Sequence, residues 1–197
     1  AIAAANGTAG ADVITFAPGV TGTIALSSGQ LTISDSLQIE GPGRGVLTVD
    51  GAGTSRVFDI PLSSGDVAVA MSGLTISNGN AQTGGGIRLQ DEQLTLDDVA
   101  LVDNSALGNG GALYADGFGM TLTVRNSTIS GNTARGGGGV YIEDTKGVTT
   151  FDGVVVDGNT ATQQGGGIFL YDPDADVVIG NSTITGNTAG KGGGIYL

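Results

Sequence analysis

Cysteine, histidine and tryptophan are all missing from these 197 residues. Without cysteine there can be no disulfides and no thiolate metal sites, although this says little about compartment. Basic residues are almost as scarce. Seven Lys and Arg stand against nineteen Asp and Glu, for a net charge of −12. Seven dispersed cations cannot assemble the basic patch that nucleic acid requires, nor a docking face for anionic lipid. No apolar run approaches the roughly 20 residues of a membrane span. Charged residues make up only 13% of the chain and aromatic residues 5%. The sequence opens at Ala1 with no signal peptide in view, so any export signal is expected upstream of it.

What is present is glycine, at 38 residues, together with 39% hydrophobic residues in short, regular Val, Ile and Leu runs. Glycine at this level without a Gly-X-Y period is compatible with disorder, but disorder requires no regular apolar runs. The runs instead belong to a repeat. Segments 73–89, 99–115, 127–142, 154–170 and 182–197 share one plan: a Thr-Ile-Ser-type run, a Gly-Asn-Thr-Ala-type turn, a glycine run and an alternating apolar triplet. The turn alanines Ala81, Ala106, Ala134, Ala161 and Ala189 lie 25, 28, 27 and 28 residues apart. A period near 27 also suits leucine-rich repeats, so the pattern inside the period has to decide. Helical spacing is absent from the repeat, and its glycines would each oppose a helix by about 1 kcal/mol. Period-two runs occur three times per repeat, as in 122–124, 127–130 and 140–142. Three short strands per turn, separated by small-residue corners, predict an all-β, three-sheet solenoid whose turns stack about 4.8 Å apart. The chain is expected to form a single-stranded, right-handed parallel β-helix of about seven turns, roughly 35 Å long.

Stacking converts the repeat into columns. Ile76, Leu101, Ile129, Val156 and Ile184 are expected to point inward, as are Met71, Leu96, Val124, Phe151 and Ile179. A third inward column is Ile87, Leu113, Val140, Ile168 and Ile195. All fifteen are apolar, as a narrow lumen requires. Asn104, Asn132, Asn159 and Asn187 form a polar column whose amides can bond to the turns above and below. The first repeat breaks it, reading Asn78-Gly79-Asn80. One domain is expected over 1–197: residues 1–11 as an N-terminal cap, 12–72 as degenerate turns, and 73–197 as regular repeats. The repeat shows no decay as it reaches Leu197, so a longer β-helix is expected, with end-to-end self-association into filaments as the alternative.

Asn132-Thr133-Ala134 with 137–141, and Asn187-Thr188-Ala189 with 192–196, resemble the repeats of polymorphic outer-membrane proteins and related bacterial surface β-helices. Residues 1–6 followed by 12–16 are similar to the end of a CSLREA-type region, which opens large exported β-helix proteins. The resemblance implies a bacterial protein that is extracellular or on the cell surface. It leaves function open, because the fold hosts lyases, hydrolases, adhesins and passenger domains.

Three groups of residues are candidates for chemistry. A polysaccharide lyase or hydrolase would need a base or paired carboxylates converging on one face. The basic residues are Arg44, Arg56, Arg88, Arg125, Arg135, Lys146 and Lys191. Arg88 falls in the outward triplet position, Arg125 and Lys146 in different corners, and Arg135 and Lys191 in the glycine corner, so they are not expected to converge with a carboxylate cluster. Arg125-Asn126 separates Asp97-Asp98 from Asp152. No active site and no cofactor are therefore expected. The loops after each triplet are acid-rich, and Asp172, Asp174 and Asp176 alternate as calcium ligands do at the start of an EF-hand. Val177 and Thr183 then depart from that motif. Calcium is the one metal considered, against plain solubility from negative charge. The outward triplet position carries Arg88, Tyr114, Tyr141, Phe169 and Tyr196, a stripe that could meet a glycan or a neighbouring cell surface. The same stripe can simply stabilise the strand ladder by about 0.2–1 kcal/mol per pair. The expected function is that of a non-enzymatic surface module, adhesin-like or structural, with a filament subunit or a carbohydrate-active enzyme sited elsewhere as alternatives.

Overall fold

The computed structural model describes residues 1–8, 10–143, 146–171 and 176–197. After a short helix, Ile2–Ala5, the chain winds through seven turns of parallel strands. The turns begin at the strands Asp12–Thr15, Leu37–Glu40, Ala68–Ser77, Gln93–Val102, Thr121–Arg125, Thr149–Asp152 and Val177–Gly180. Each of these pairs in parallel with its counterpart one turn away. The triplets form a second, seven-stranded sheet running from Leu31–Thr32 to Ile195–Tyr196.

The inward columns stand in the expected register. Ile76, Leu101, Ile129, Val156 and Ile184 are successive partners. So are Met71, Leu96, Val124, Phe151 and Ile179. The triplet column Ile87, Leu113, Val140, Ile168 and Ile195 does the same on the second sheet. Strand alternation turns these side chains toward one lumen, where Ile76, Ile129 and Ile168 are fully buried; on the last turn Ile179 and Ile195 remain exposed. Burying such a side chain stabilises the fold by about 1.5–3 kcal/mol.

The division into sheets differs from the sequence expectation. The first two runs of each turn belong to one twelve-stranded sheet, continuous through Ala68–Ser77 and Gln93–Val102. Gly73 and Asp98 carry the bend inside these strands in left-handed conformation, with φ of 60° and 53°. One left-handed residue redirects a strand without interrupting its ladder to the next turn. The third sheet comes instead from the Asn-Thr-Ala segments, read above as turns. It joins Asn80–Ala81, Ser105–Ala106, Thr133–Gly136 and Thr160–Gln164.

The asparagine column lies between the large sheet and this small one. Each Oδ1 accepts from the backbone N–H and the amide of the preceding asparagine, as in Asn104 to Asn132 at 2.9 and 3.1 Å. The links from Asn132 to Asn159 and from Asn159 to Asn187 repeat this geometry. Each Nδ2 also donates back to a carbonyl of the turn before, Ile76, Leu101, Ile129 and Val156 in order. Where the first repeat lacks the asparagine, Gly79 N–H still donates to Asn104 Oδ1 at 2.9 Å. The column therefore replaces the corner's missing backbone hydrogen bonds inside a dry interior.

Candidate functional site

The outward column of the triplet sheet gathers most of the chemistry. Strand register stacks Thr32, Asp59, Arg88, Tyr114, Tyr141, Phe169 and Tyr196 one above another. The first half is ionic and the second aromatic.

In the ionic half, Asp59 is 4% exposed and accepts from four donors. Arg88 reaches both of its oxygens, Nε to Oδ1 at 2.6 Å and Nη2 to Oδ2 at 2.9 Å. Arg56 Nη1 donates to Oδ1 at 3.3 Å and Gln30 Nε2 to Oδ2 at 2.9 Å. Arg56 is held in turn by Gln30 Oε1 and by the carbonyls of Thr83 and Gly84. Burial lowers the Arg56 pKa from its ordinary value; Asp59 opposes this and Arg88 adds to it. The sequence reading did not pair these arginines with Asp59. Asp59 occupies the triplet position directly below Arg88, so extending the column one turn towards the N-terminus would have found the pair. A carboxylate filled by four donors has no lone pair left to take a proton from a substrate. Its chemistry is that of a clamp joining turns.

Other carboxylates do similar work. Glu92, 3% exposed, accepts from the N–H groups of Ser63 and Val67 at 2.8 and 2.7 Å and so closes loop 61–67 of the preceding turn. Asp97 accepts from Asn126, and Asp152 from Asn181. Arg44, in a corner of the second turn, pairs with Asp98 at 3.0 Å and donates to the Asn126 carbonyl at 2.7 Å, lying across three turns. Of the three aspartates considered for calcium, Asp172 and Asp174 lie outside the described residues. Asp176 is exposed, and its carbonyl accepts from Thr149 N–H at 3.1 Å. Among the described residues no group of three or more carboxylates is placed to hold a metal ion.

In the aromatic half, Tyr114 and Tyr141 stack with centroids 5.6 Å apart, 10° from parallel. Phe169 meets Tyr141 and Tyr196 edge-on at 4.8 and 5.1 Å. Although they point away from the lumen, Tyr141 and Phe169 are only 5% and 7% exposed. The sequence reading missed Tyr171, which ends the strand Ile168–Tyr171 and stacks over Tyr141 at 6.4 Å and 17°. All four tyrosines of the chain therefore meet on one surface. Tyr114 donates its hydroxyl to Glu143 at 2.8 Å. Burial, that hydrogen bond and the negative charges of Glu143 and Asp116 all push the Tyr114 pKa well above the usual tyrosine value.

Comparison with known proteins bears on the architecture. The family described as the right-handed beta helix region matches residues 14–197. The chain belongs to the right-handed β-helix family. No curated protein matches it. Among solved structures, this β-helix is similar to ORF18 of Geobacillus virus E2, with a TM-score of 0.34 and 10% identity. That alignment covers 94% of this chain and 53% of the viral one, so the β-helix spans about half the length of its structural neighbour. No helix among the described residues is long and apolar enough to cross a membrane.

Proposed function

We propose that this β-helix is a non-catalytic module, displayed on or released from a bacterial cell, that works through its outer surface. The family has both structural and enzymatic members, so membership alone does not choose between them. The observation that carries the reading is the occupancy of Asp59. The one buried carboxylate ringed by arginines among the described residues spends its lone pairs on Arg88, Arg56 and Gln30, and Glu92 spends its own on backbone N–H groups. These are the bonds of a scaffold. The Asn-Thr-Ala and glycine-rich repeats, which resemble those of bacterial surface β-helices, support placement outside the cell.

The test is incubation of the protein with pectin, alginate and neutral glycans, with and without calcium, following new reducing ends and unsaturated products. No turnover is expected. Turnover that disappears in Asp59→Asn or Arg88→Gln, with the fold retained, would overturn the proposal. Calcium at Asp172, Asp174 and Asp176 belongs to the same proposal as a structural ion. Thorough chelation is expected to lower the melting temperature by a few degrees, and an unchanged melt on metal-free protein would leave these residues as solvated charge.

A further inference from the structure

The interior of this β-helix uses phenylalanine: Phe58 and Phe151 are each 1% exposed. Every tyrosine is kept for the outer face of the triplet sheet. Stacking of the column explains Tyr114, Tyr141, Phe169 and Tyr196, since aromatic neighbours stabilise a ladder. It does not explain Tyr171. That residue belongs to the next outward column, where the equivalent residues are Gln90, Asp116 and Glu143. The ladder needs no ring at this position, yet Tyr171 places one there and leaves it 49% exposed. The hydroxyls of Tyr171 and Tyr196 have no hydrogen-bond partner among the described residues.

We propose that this surface, with Tyr114, Tyr171 and Tyr196 around the buried pair of Tyr141 and Phe169, binds a neutral polysaccharide lying along the helix axis. The proposal rests on the reading of the chain as a non-catalytic surface module and gives that module a ligand. Ring faces pack against the C–H faces of sugars, and phenol hydroxyls and carboxylates bond to sugar hydroxyls. Glu143 and Asp116 flank the rings on the same sheet. Charge selects among glycans. A surface bordered by carboxylates on a chain of net charge −12 repels uronates and sulfates but not neutral sugars. Shape selects among neutral ligands. The rings climb the axis one turn at a time, about 4.8 Å per step, which presents an extended strip rather than a closed pocket and so suits a polymer.

Because the chain has no tryptophan and all four tyrosines lie here, its tyrosine emission reports on this surface alone. The experiment runs the full chain through native gels containing hydroxyethyl cellulose, dextran or galactomannan, with alginate for comparison, and titrates the same polymers while following tyrosine emission. Retardation by at least one neutral polymer is expected, with an accompanying emission change and no retardation by alginate. Tyr171→Ala should weaken binding about five- to tenfold and Tyr171→Phe much less, since loss of one stacked ring is worth about 1 kcal/mol. Position 171 is exposed, and a melt followed by circular dichroism verifies the fold of each variant. Absence of retardation by all three neutral polymers would overturn the proposal. So would alginate binding as tightly as they do, or a folded Tyr171→Ala that binds like the parent. Reducing ends measured in the same incubations separate the two readings. Binding with turnover keeps the surface and removes the non-catalytic module; neither binding nor turnover does the reverse.

Discussion

A single asparagine shows how tightly this architecture depends on hydrogen bonds in a dry place. Asn132 is fully buried, and its amide accepts twice from Asn104 and donates to Leu101, Ser130 and Asn159. Asn132→Ala strands at least the Asn104 N–H and the Leu101 carbonyl, at about 1–3 kcal/mol per unsatisfied group. A loss on the order of 3–5 kcal/mol is expected from urea denaturation. Asn187→Ala, at the partly exposed end of the column, should cost about 1–2 kcal/mol, because water can replace its bonds. Equal costs at the two sites would contradict this account. Tyr114 supplies a pH signature. Its pKa is raised in the folded state, so folding holds a proton that the unfolded chain releases near the usual value of 10.0. The stability it contributes is complete below that pH and is lost as pH rises beyond it. Phenolate absorbance should place the Tyr114 step, identified by its loss in Tyr114→Phe, above the usual tyrosine value, and Glu143→Gln should bring it down. A Tyr114 step at the usual value would refute the assignment.

At the scale of elements, glycine serves two separate purposes. Gly85, Gly111, Gly138, Gly166 and Gly193 lie on successive turns where backbones nearly touch. A Cβ at Gly138 would sit 2.5 Å from the Gly166 carbonyl oxygen and 2.6 Å from Thr160 backbone atoms. Gly158, by contrast, has a left-handed φ of 63° with open space around it. Gly138→Ala must push two turns apart, and a loss of about 3 kcal/mol or more is expected. Gly158→Ala meets only backbone strain, about 1–2 kcal/mol. Denaturation midpoints of the two variants check this difference, and a Gly158→Ala loss as large as that of Gly138→Ala would show that close approach is not what the glycine run provides. The corners follow the same economy: Gly73, Asp98, Asn126, Gly153 and Asn181 all adopt positive φ at one bend, using the residue types that tolerate it.

Over the whole molecule, strand pairing joins each turn only to its neighbours, and the exposed Arg44 bridge to Asp98 and Asn126 reaches further, so energetic effects should stay largely local. Asp59→Asn leaves two guanidinium groups around a neutral amide, and breaking such a buried pair costs about 3–5 kcal/mol. Asp59 lies in the second turn and Asn132 in the fifth. Their losses should add to within about 0.5 kcal/mol in a double variant, whereas Asn132→Ala and Asn159→Ala, sharing a hydrogen bond, should couple by more than about 1 kcal/mol. Strong coupling between Asp59 and Asn132 that persists in Arg44→Ala would mean that the rod unfolds as one unit rather than turn by turn.

The sequence by itself determined the period, the three inward columns, the asparagine column and the outward triplet stripe. Each is a matter of parity and register. Once turns of near-constant length stack in parallel, a period-two pattern assigns every strand residue to a side and to a neighbour. Tertiary structure decided what depends on reach rather than register. Arg56 folds back onto Asp59 from three residues away, and Arg44 crosses from the second turn to the fifth. Long, flexible side chains choose partners by distance in space, which a repeat of 27 residues does not encode. The unity of the large sheet also lay beyond the sequence, because a left-handed residue inside a continuing ladder looks the same, residue by residue, as a corner that ends one. Tyr141 and Phe169 sit on an outward column, as their parity requires. Their burial was settled by the rings above, below and beside them, Tyr171 among these; alternation puts Tyr171 on that face, but only the packing lays its ring over Tyr141.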